Sequence, residues 1–202
     1  TGADLRFARR MGDLSWDVRT VDSTGTVGYG ASLAYDAVRD QAVMAYQDVT
    51  NRNLKVAREL GAGIFDVLTV DTSGAVSGRT SVATDALGLA HVAYGRGSDL
   101  YYVRESSPGV WATPESVSAG VSVGTLAITL YYDEPFIAYY SITYQEVQYA
   151  RSVGGLFIDK SFVGPNTTVD SVAVAVNSSP QPVVAYIQGG TQNVVLAYYE
   201  GG

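Results

Sequence analysis

The sequence predicts an all-β fold, and three observations carry that expectation. First, an apolar run ending in Ala-Tyr recurs at Val43–Tyr46, His91–Tyr94, Phe136–Tyr139 and Val183–Tyr186, with its tyrosines 48, 45 and 47 residues apart. Second, three more anchors keep that period. One is a run ending near arginine (Leu5–Arg9, Leu54–Arg58, Leu100–Arg104, Val147–Arg151, Val194–Tyr198). The next begins with an aromatic (Trp16, Phe65, Trp111, Phe157). The last is small and apolar (Ser32–Tyr35, Ser81–Thr84, Thr125–Ile128, Ser171–Val174). Third, Val, Thr, Tyr and Gly dominate, and no window sustains apolar residues at helical spacing, which favours strands and tight turns.

The elements follow in chain order. Leu5–Arg9 and Trp16–Val21 read as strands, and Asp22–Gly30 as a Gly/Ser/Thr loop. The first full copy then supplies strands Ser32–Tyr35, Gln41–Gln47, Leu54–Arg58 and Phe65–Val70. Its connections are too short for parallel crossovers, so the unit is an up-and-down antiparallel sheet. The second copy supplies Ser81–Thr84, Ala90–Tyr94, Leu100–Arg104 and Trp111–Val117. Pro114 cannot donate to a ladder, so its strand should be an edge or bulge there. The third copy supplies Thr125–Tyr131, Phe136–Tyr140, Val147–Arg151 and Phe157–Val163. The last has three strands: Val169–Val176, Pro182–Ile187 and Val194–Tyr198.

One four-stranded sheet buries too little to stand alone, and repeats of about 47 residues with four strands each point to a β-propeller. Small residues on the first strands (Ser32, Ala34, Ser81, Ala83, Ala127, Ser171, Ala173) suit a crowded axis. The fourth-strand aromatic should pack between blades. The expected domain is one propeller over residues 1–202, with blades at 32–71, 81–117 and 125–163. A split blade joins 169–198 to 5–21, so that four blades close the ring. Both terminal pieces hold a third-position strand, Leu5–Arg9 and Val194–Tyr198, one more than four blades need. The alternative is part of a longer propeller, or a ring completed by another chain; a monomer is the simpler case.

Charge narrows the function. Net charge is −7, with no basic cluster, which argues against nucleic acid and anionic membrane surfaces. No run approaches the roughly 18 apolar residues of a spanning helix, so no membrane insertion is expected. There is no cysteine, which excludes disulfides and thiolate metal sites. No Asp-rich calcium loop occurs, and no cofactor is expected.

The pattern seen at Ser81–Asp85, His91–Tyr94, Leu54–Arg58 and Trp16–Asp22 resembles bacterial extracellular β-propeller repeat proteins, in the broad sialidase-like sense. The resemblance covers nearly the whole chain and is one of repeat style. It implies a secreted or cell-surface setting and a binding role, and it carries over no catalytic residue. Asp22-Ser23-Thr24-Gly25 and Asp71-Thr72-Ser73-Gly74 hold the Asp and Gly of a sialidase Asp box without its Trp, and read as turns. Arg9, Arg58, Arg104 and Arg151 recur once per copy and read as solvated or ion-paired strand ends. The single histidine, His91, reads as a structural strand-end residue. Trp16-Asp17 and the sequons at Asn166 and Asn177 read as coincidence, and Asp133-Glu134 as a solvated turn. Of 15 tyrosines, Tyr46, Tyr94, Tyr139 and Tyr186 read as core.

The loops joining strand four to strand one and strand two to strand three should share one face. Loops on a rigid scaffold are where function usually resides. Candidate ligand-binding residues there are Asp48, Asn51, Arg52, Arg96, Asp99, Tyr144, Gln188 and Gln192. The expected function is a non-enzymatic module binding a glycan or a protein. The alternatives are a glycan-active hydrolase or lyase with a shallow site on that face, and a structural spacer within a larger surface protein.

Overall fold

The structure, a computed structural model, describes residues 2–61, 63–161, 168–179 and 181–198, with side chains for all of these except 159–161. Phe162–Val163, most of the loop 164–168, the Asn166 sequon and residues 199–202 lie outside the described residues. Among the described residues, eighteen strands form five antiparallel sheets. β1 (Leu5–Arg10) pairs with β2 (Trp16–Asp22). The first blade is β3 (Val27–Asp36), β4 (Gln41–Asp48), β5 (Asn53–Glu59) and β6 (Phe65–Asp71), in that order.

The second blade is β7 (Val76–Thr84), β8 (Ala90–Arg96), β9 (Asp99–Ser107) and a broken outer strand. That outer strand is β10 (Val110–Trp111) and β11 (Glu115–Ser118), both paired to β9. The interruption falls at Pro114, where the missing N–H forbids a ladder bond. β12 (Val123–Tyr131), β13 (Glu134–Ser141), β14 (Glu146–Val153) and β15 (Leu156–Ser161) make the third blade. β16 (Val169–Val176), β17 (Pro182–Gln188) and β18 (Asn193–Tyr198) make the last sheet.

The first strands are longer than the hydrophobic pattern predicts. Val27–Gly30 and Val76–Arg79, expected as loop, continue the ladders through bulges. Gly28, Gly30 and Gly78 make this possible, each with positive φ. Gly30 also meets the neighbouring blade so closely that a Cβ would collide with the Gly78 carbonyl oxygen. The innermost strands β3, β7, β12 and β16 lie side by side in sequence order. Ser32 Oγ is 3.2 Å from Thr80 Oγ1, and Ser81 Oγ accepts from the Ile128 N–H at 3.1 Å.

Each hydrophobic cluster straddles a blade boundary. Val43, Ala45 and Val56 of the first blade meet Val82, Val92, Tyr94 and Val103 of the second. Ala93, Leu100 and Tyr102 meet Ile128, Ile137, Tyr139 and Ala150. Ala138, Tyr140 and Tyr149 meet Val172, Val184 and Tyr186. Phe65, Trp111 and Phe157 flank these clusters and pack between blades as expected, whereas Trp16 is 62% exposed and packs in none of them, because β1 and β2 have no preceding sheet beside them among the described residues.

A polar latch repeats over the first two boundaries. Tyr46 donates to Asp22 Oδ2 at 2.8 Å and Tyr94 to Asp71 Oδ2 at 2.7 Å, each reaching back to the end of the preceding sheet's fourth strand. Burial pushes the Asp71 carboxyl upward. Hydrogen bonds from Tyr94 and Ser73, with the Arg96 charge, outweigh that and hold it below the usual carboxylate range. The same balance, with Lys55 as cation, lowers Asp22. The two Asp-Gly turns of the sequence are therefore blade fasteners: each aspartate also accepts the N–H two residues on.

The expected ring closure is corrected. The described residues form five sheets, the expected count of four blades is not confirmed, and β1–β2 and β16–β18 form separate sheets rather than one split blade. β1 and β18 both occupy the third-strand position, and one sheet cannot seat two strands there. β1 and β2 instead lie over the first blade, with Leu5 and Phe7 against Met44, Tyr46 and Phe65. The arc consequently leaves two apolar faces uncovered, Tyr29, Leu33 and Tyr35 on β3 and Leu196 and Tyr198 on β18.

Candidate functional site

The two loop sets expected to share a face do so, tied by backbone hydrogen bonds. Val49 N–H donates to Thr26, Val76 to Arg52, Gly97 to Ala75, Ser122 to Ser98, and Ile142 to Ser122. The eight sequence-predicted residues lie on this face and are spread along the arc. Several are committed to their own turns. Asp48 is buried and accepts from Asn51 N–H and Nδ2. Asp99 Oδ1 accepts from Ser98 Oγ and Gly120 N–H. Arg96 lies over the Tyr101 ring at 4.5 Å and 3.5 Å from Asp71. Arg52 and Gln192 sit at positive-φ turn positions. Gln192 Nε2 donates to Asp170, and Gln188 accepts from Thr191 Oγ1. Tyr144 is exposed. None of the eight lines any of the concavities described below.

Those concavities open on the opposite face, between adjacent sheets near the strand-three to strand-four turns. Three of them occupy equivalent positions. Phe7, Arg9, Asp17, Arg19, Glu59 and Gly63 line the first, about 170 Å³, between β1–β2 and the first blade. The second, about 110 Å³, lies between the first and second blades and is lined by Val56, Arg58, Leu68, Glu105, Gly109 and Trp111. The third, about 400 Å³, lies between the second and third blades, with Tyr102, Arg104, Glu115, Glu134, Ser152 and Phe157 in its wall.

The repeat makes these clefts comparable residue by residue. Arg9, Arg58 and Arg104 occupy one position, and Glu59, Glu105 and Ser152 the next position one blade on. Arg9 Nη2 donates to Glu59 Oε2 at 2.6 Å. Arg58 Nη2 donates to Glu105 Oε2 at 2.6 Å, and Arg58 Nη1 to Asp36 Oδ2 at 2.7 Å. Arg39 also donates to Asp36, so two guanidinium groups and two carboxylates form one balanced chain. Burial raises the Asp36 carboxyl, and the bonds from Arg39 and from the Val38 and Arg39 N–H groups more than offset it.

Sequence reasoning took these arginines as ion-paired strand ends, which holds for Arg9 and Arg58, although Arg58 is buried rather than solvated. The missed residues are Glu59, Glu105, Trp111, Tyr102 and Glu115. The available signal was the Arg-Glu dipeptide at 58–59 and again at 104–105. Its meaning was hidden because each arginine pairs with the glutamate of the next blade, not with its sequence neighbour.

His91 is 1% exposed. Its Nδ1 is 2.6 Å from Tyr102 Oη, and its Nε2 is 3.5 Å from Asp85 Oδ2. Burial lowers its pKa despite Asp85, and the Tyr102 hydroxyl is within hydrogen-bond distance of its Nδ1. Glu115 is pushed up by burial, with Arg104 partly countering. Among the described residues no group of three or more His, Cys, Asp or Glu is placed to hold a metal ion.

Repeated antiparallel sheets round an axis, with clefts between them, define the β-propeller class. No family model matches the chain, and no curated protein matches it. Solved structures do. A lectin from Aleuria aurantia, described as a six-bladed β-propeller with a novel fucose recognition mode, superposes with TM-score 0.67 at 17% identity, over 98% of this chain and 68% of its own. A leech intramolecular trans-sialidase gives 0.60 at 10% identity, over 94% of this chain and 35% of its own. An exo-β-1,3-galactanase from Clostridium thermocellum gives 0.56 at 14% identity, over 93% and 52%. Identities this low speak to the fold alone. The chain spans about a third of the trans-sialidase and about half of the galactanase.

Proposed function

We propose that the protein is a non-enzymatic glycan-binding module that seats a sugar residue in a cleft between blades. One observation carries this: the cleft between the second and third blades sets the Arg104 guanidinium beside a wall of the Tyr102 and Phe157 rings. An aromatic face with a few fixed polar groups suits a sugar ring, whose C–H face is apolar and whose rim is hydroxyls. The lectin propeller among the structural neighbours supports the reading. A secreted or cell-surface setting goes with it.

A glycan array tests this. Binding should be lost in Arg104→Ala and Phe157→Ala and kept in Tyr144→Ala and Arg96→Ala, which alter the other face. The opposite pattern would move the site to the loop face, and no binding to any glycan would end the reading. A hydrolytic reading has one observation in its favour: three carboxylates, Glu115, Asp133 and Glu134, line the largest cleft, and burial raises Glu115 as a general acid requires. Release of sugar from arrayed glycans, abolished by Glu115→Gln, would establish it.

A further inference from the structure

The three clefts are not equal, and the repeat shows why. In the second cleft Glu105 bolts the two blades together and narrows the space. Its Oε2 accepts from Arg58 and from the Ala90 N–H at 2.8 Å, and its Oε1 from the Gly109 N–H at 2.9 Å. Glu59 does the same in the first, taking Arg9 and the Ala42 N–H. At the third boundary three positions differ together. Glutamate is replaced by Ser152. The residue equivalent to Ala42 and Ala90 is Pro135, which has no N–H to satisfy. Asp85, equivalent to the Asp36 that holds Arg58, faces His91 instead. Arg104 has thus lost both carboxylates that hold Arg58. It is exposed where Arg58 is buried, and it makes no ion pair among the described residues. The cleft is about 400 Å³ where its bolted equivalent is about 110 Å³.

We infer that the cleft between the second and third blades is the ligand site, that the other two are narrowed by their own glutamates, and that Ser152 and Pro135 determine which one is wide enough to bind. This rests on the glycan reading above. The lining also sets the class of sugar. Arg104 offers planar donors, and Glu115, Asp133 and Glu134 offer acceptors, round the Tyr102 and Phe157 rings, which meet edge to face at 5.1 Å. Donors and acceptors together suit a neutral ring with adjacent hydroxyls. A ligand carboxylate would meet three carboxylates against one guanidinium, so acidic sugars are disfavoured.

The experiment restores the bolt. Ser152→Glu supplies a carboxylate within reach of Arg104 and should close the cleft while leaving the fold intact. Calorimetric titration would use methyl glycosides of neutral hexoses and 6-deoxyhexoses, with methyl glucuronoside as the acidic probe. The wild-type protein should bind a neutral glycoside at least about tenfold more tightly than the glucuronoside. Ser152→Glu should lose that binding by about tenfold or more with an unchanged or raised melting temperature. Arg104→Ala, at an exposed position, should lose it equally, which covers the case of a misfolded Ser152→Glu. Neutral-sugar binding that survives both substitutions would overturn the inference and leave the glycan reading standing with its site elsewhere. Tighter binding of the glucuronoside would overturn the assigned sugar class. A wild-type protein that binds none of these probes and nothing on the array would fail the glycan reading itself.

Discussion

Replacing Glu105 with alanine should cost the fold about 3–5 kcal/mol, since removing one partner of a buried ion pair strands the other. The carboxylate is 3% exposed and accepts three hydrogen bonds, from Arg58 and from the Ala90 and Gly109 N–H groups. In the variant the Arg58 guanidinium stays buried. It keeps Asp36 at 2.7 Å and the Gly88 carbonyl at 3.1 Å, which draws the cost toward the lower end. The Ala90 N–H, wholly buried, is left without an acceptor, adding about 1–3 kcal/mol. Native domains are stable by about 5–15 kcal/mol, so the loss is a large share of the total. Urea unfolding followed by tryptophan fluorescence reads it, because Trp111 lines the same cleft. A double-mutant cycle with Arg58→Met should show coupling of about 1.5 kcal/mol or more. A Glu105→Ala loss under about 1 kcal/mol, or additive single effects, would refute the bolt and with it the account of why two clefts are narrow.

Tyr94→Phe should cost about 1.5–3 kcal/mol in urea unfolding, the worth of a buried hydrogen bond to a charged acceptor; no loss would mean the Asp71 latch contributes nothing. Asp22, Asp36 and Asp71 have carboxyl pKa values depressed in the fold, so the stability they supply is present above the unfolded value of about 3.9 and is lost as pH falls through the folded values. The urea midpoint should accordingly fall below about pH 4, and Asp71→Asn should flatten that fall; an unchanged acid limb would refute it. Gly30→Ala should destabilise by more than about 1 kcal/mol, because φ is positive and the Gly78 carbonyl leaves no room. Gly12→Ala, with open space around it, is the neutral control.

The blades were legible in the sequence because sheet formation is local. Tyr46, Tyr94, Tyr139 and Tyr186 recur with one period, and short turns leave their strands no partner but the next. Pro114 marked the broken strand for the same reason, since a missing N–H is a property of one residue. The shared loop face also followed, from strand direction alone. The extended inner strands did not follow, because Gly28, Gly30 and Gly78 look like loop residues until the close approach of two blades is seen.

Sequence alone thus determined the cores of the sheets within each repeat, set by alternation and chain connectivity, while the bulged strand extensions and the seating of β1–β2 were not in it. Tertiary structure alone decided how the sheets meet. Arg58 and Glu105 are 47 residues apart, and whether an arginine bonds its own blade or the next depends on the angle between sheets, which no single repeat encodes. The opening at Arg104 arises from His91, Pro135 and Ser152, residues of two blades that touch one cleft only after the blades have packed.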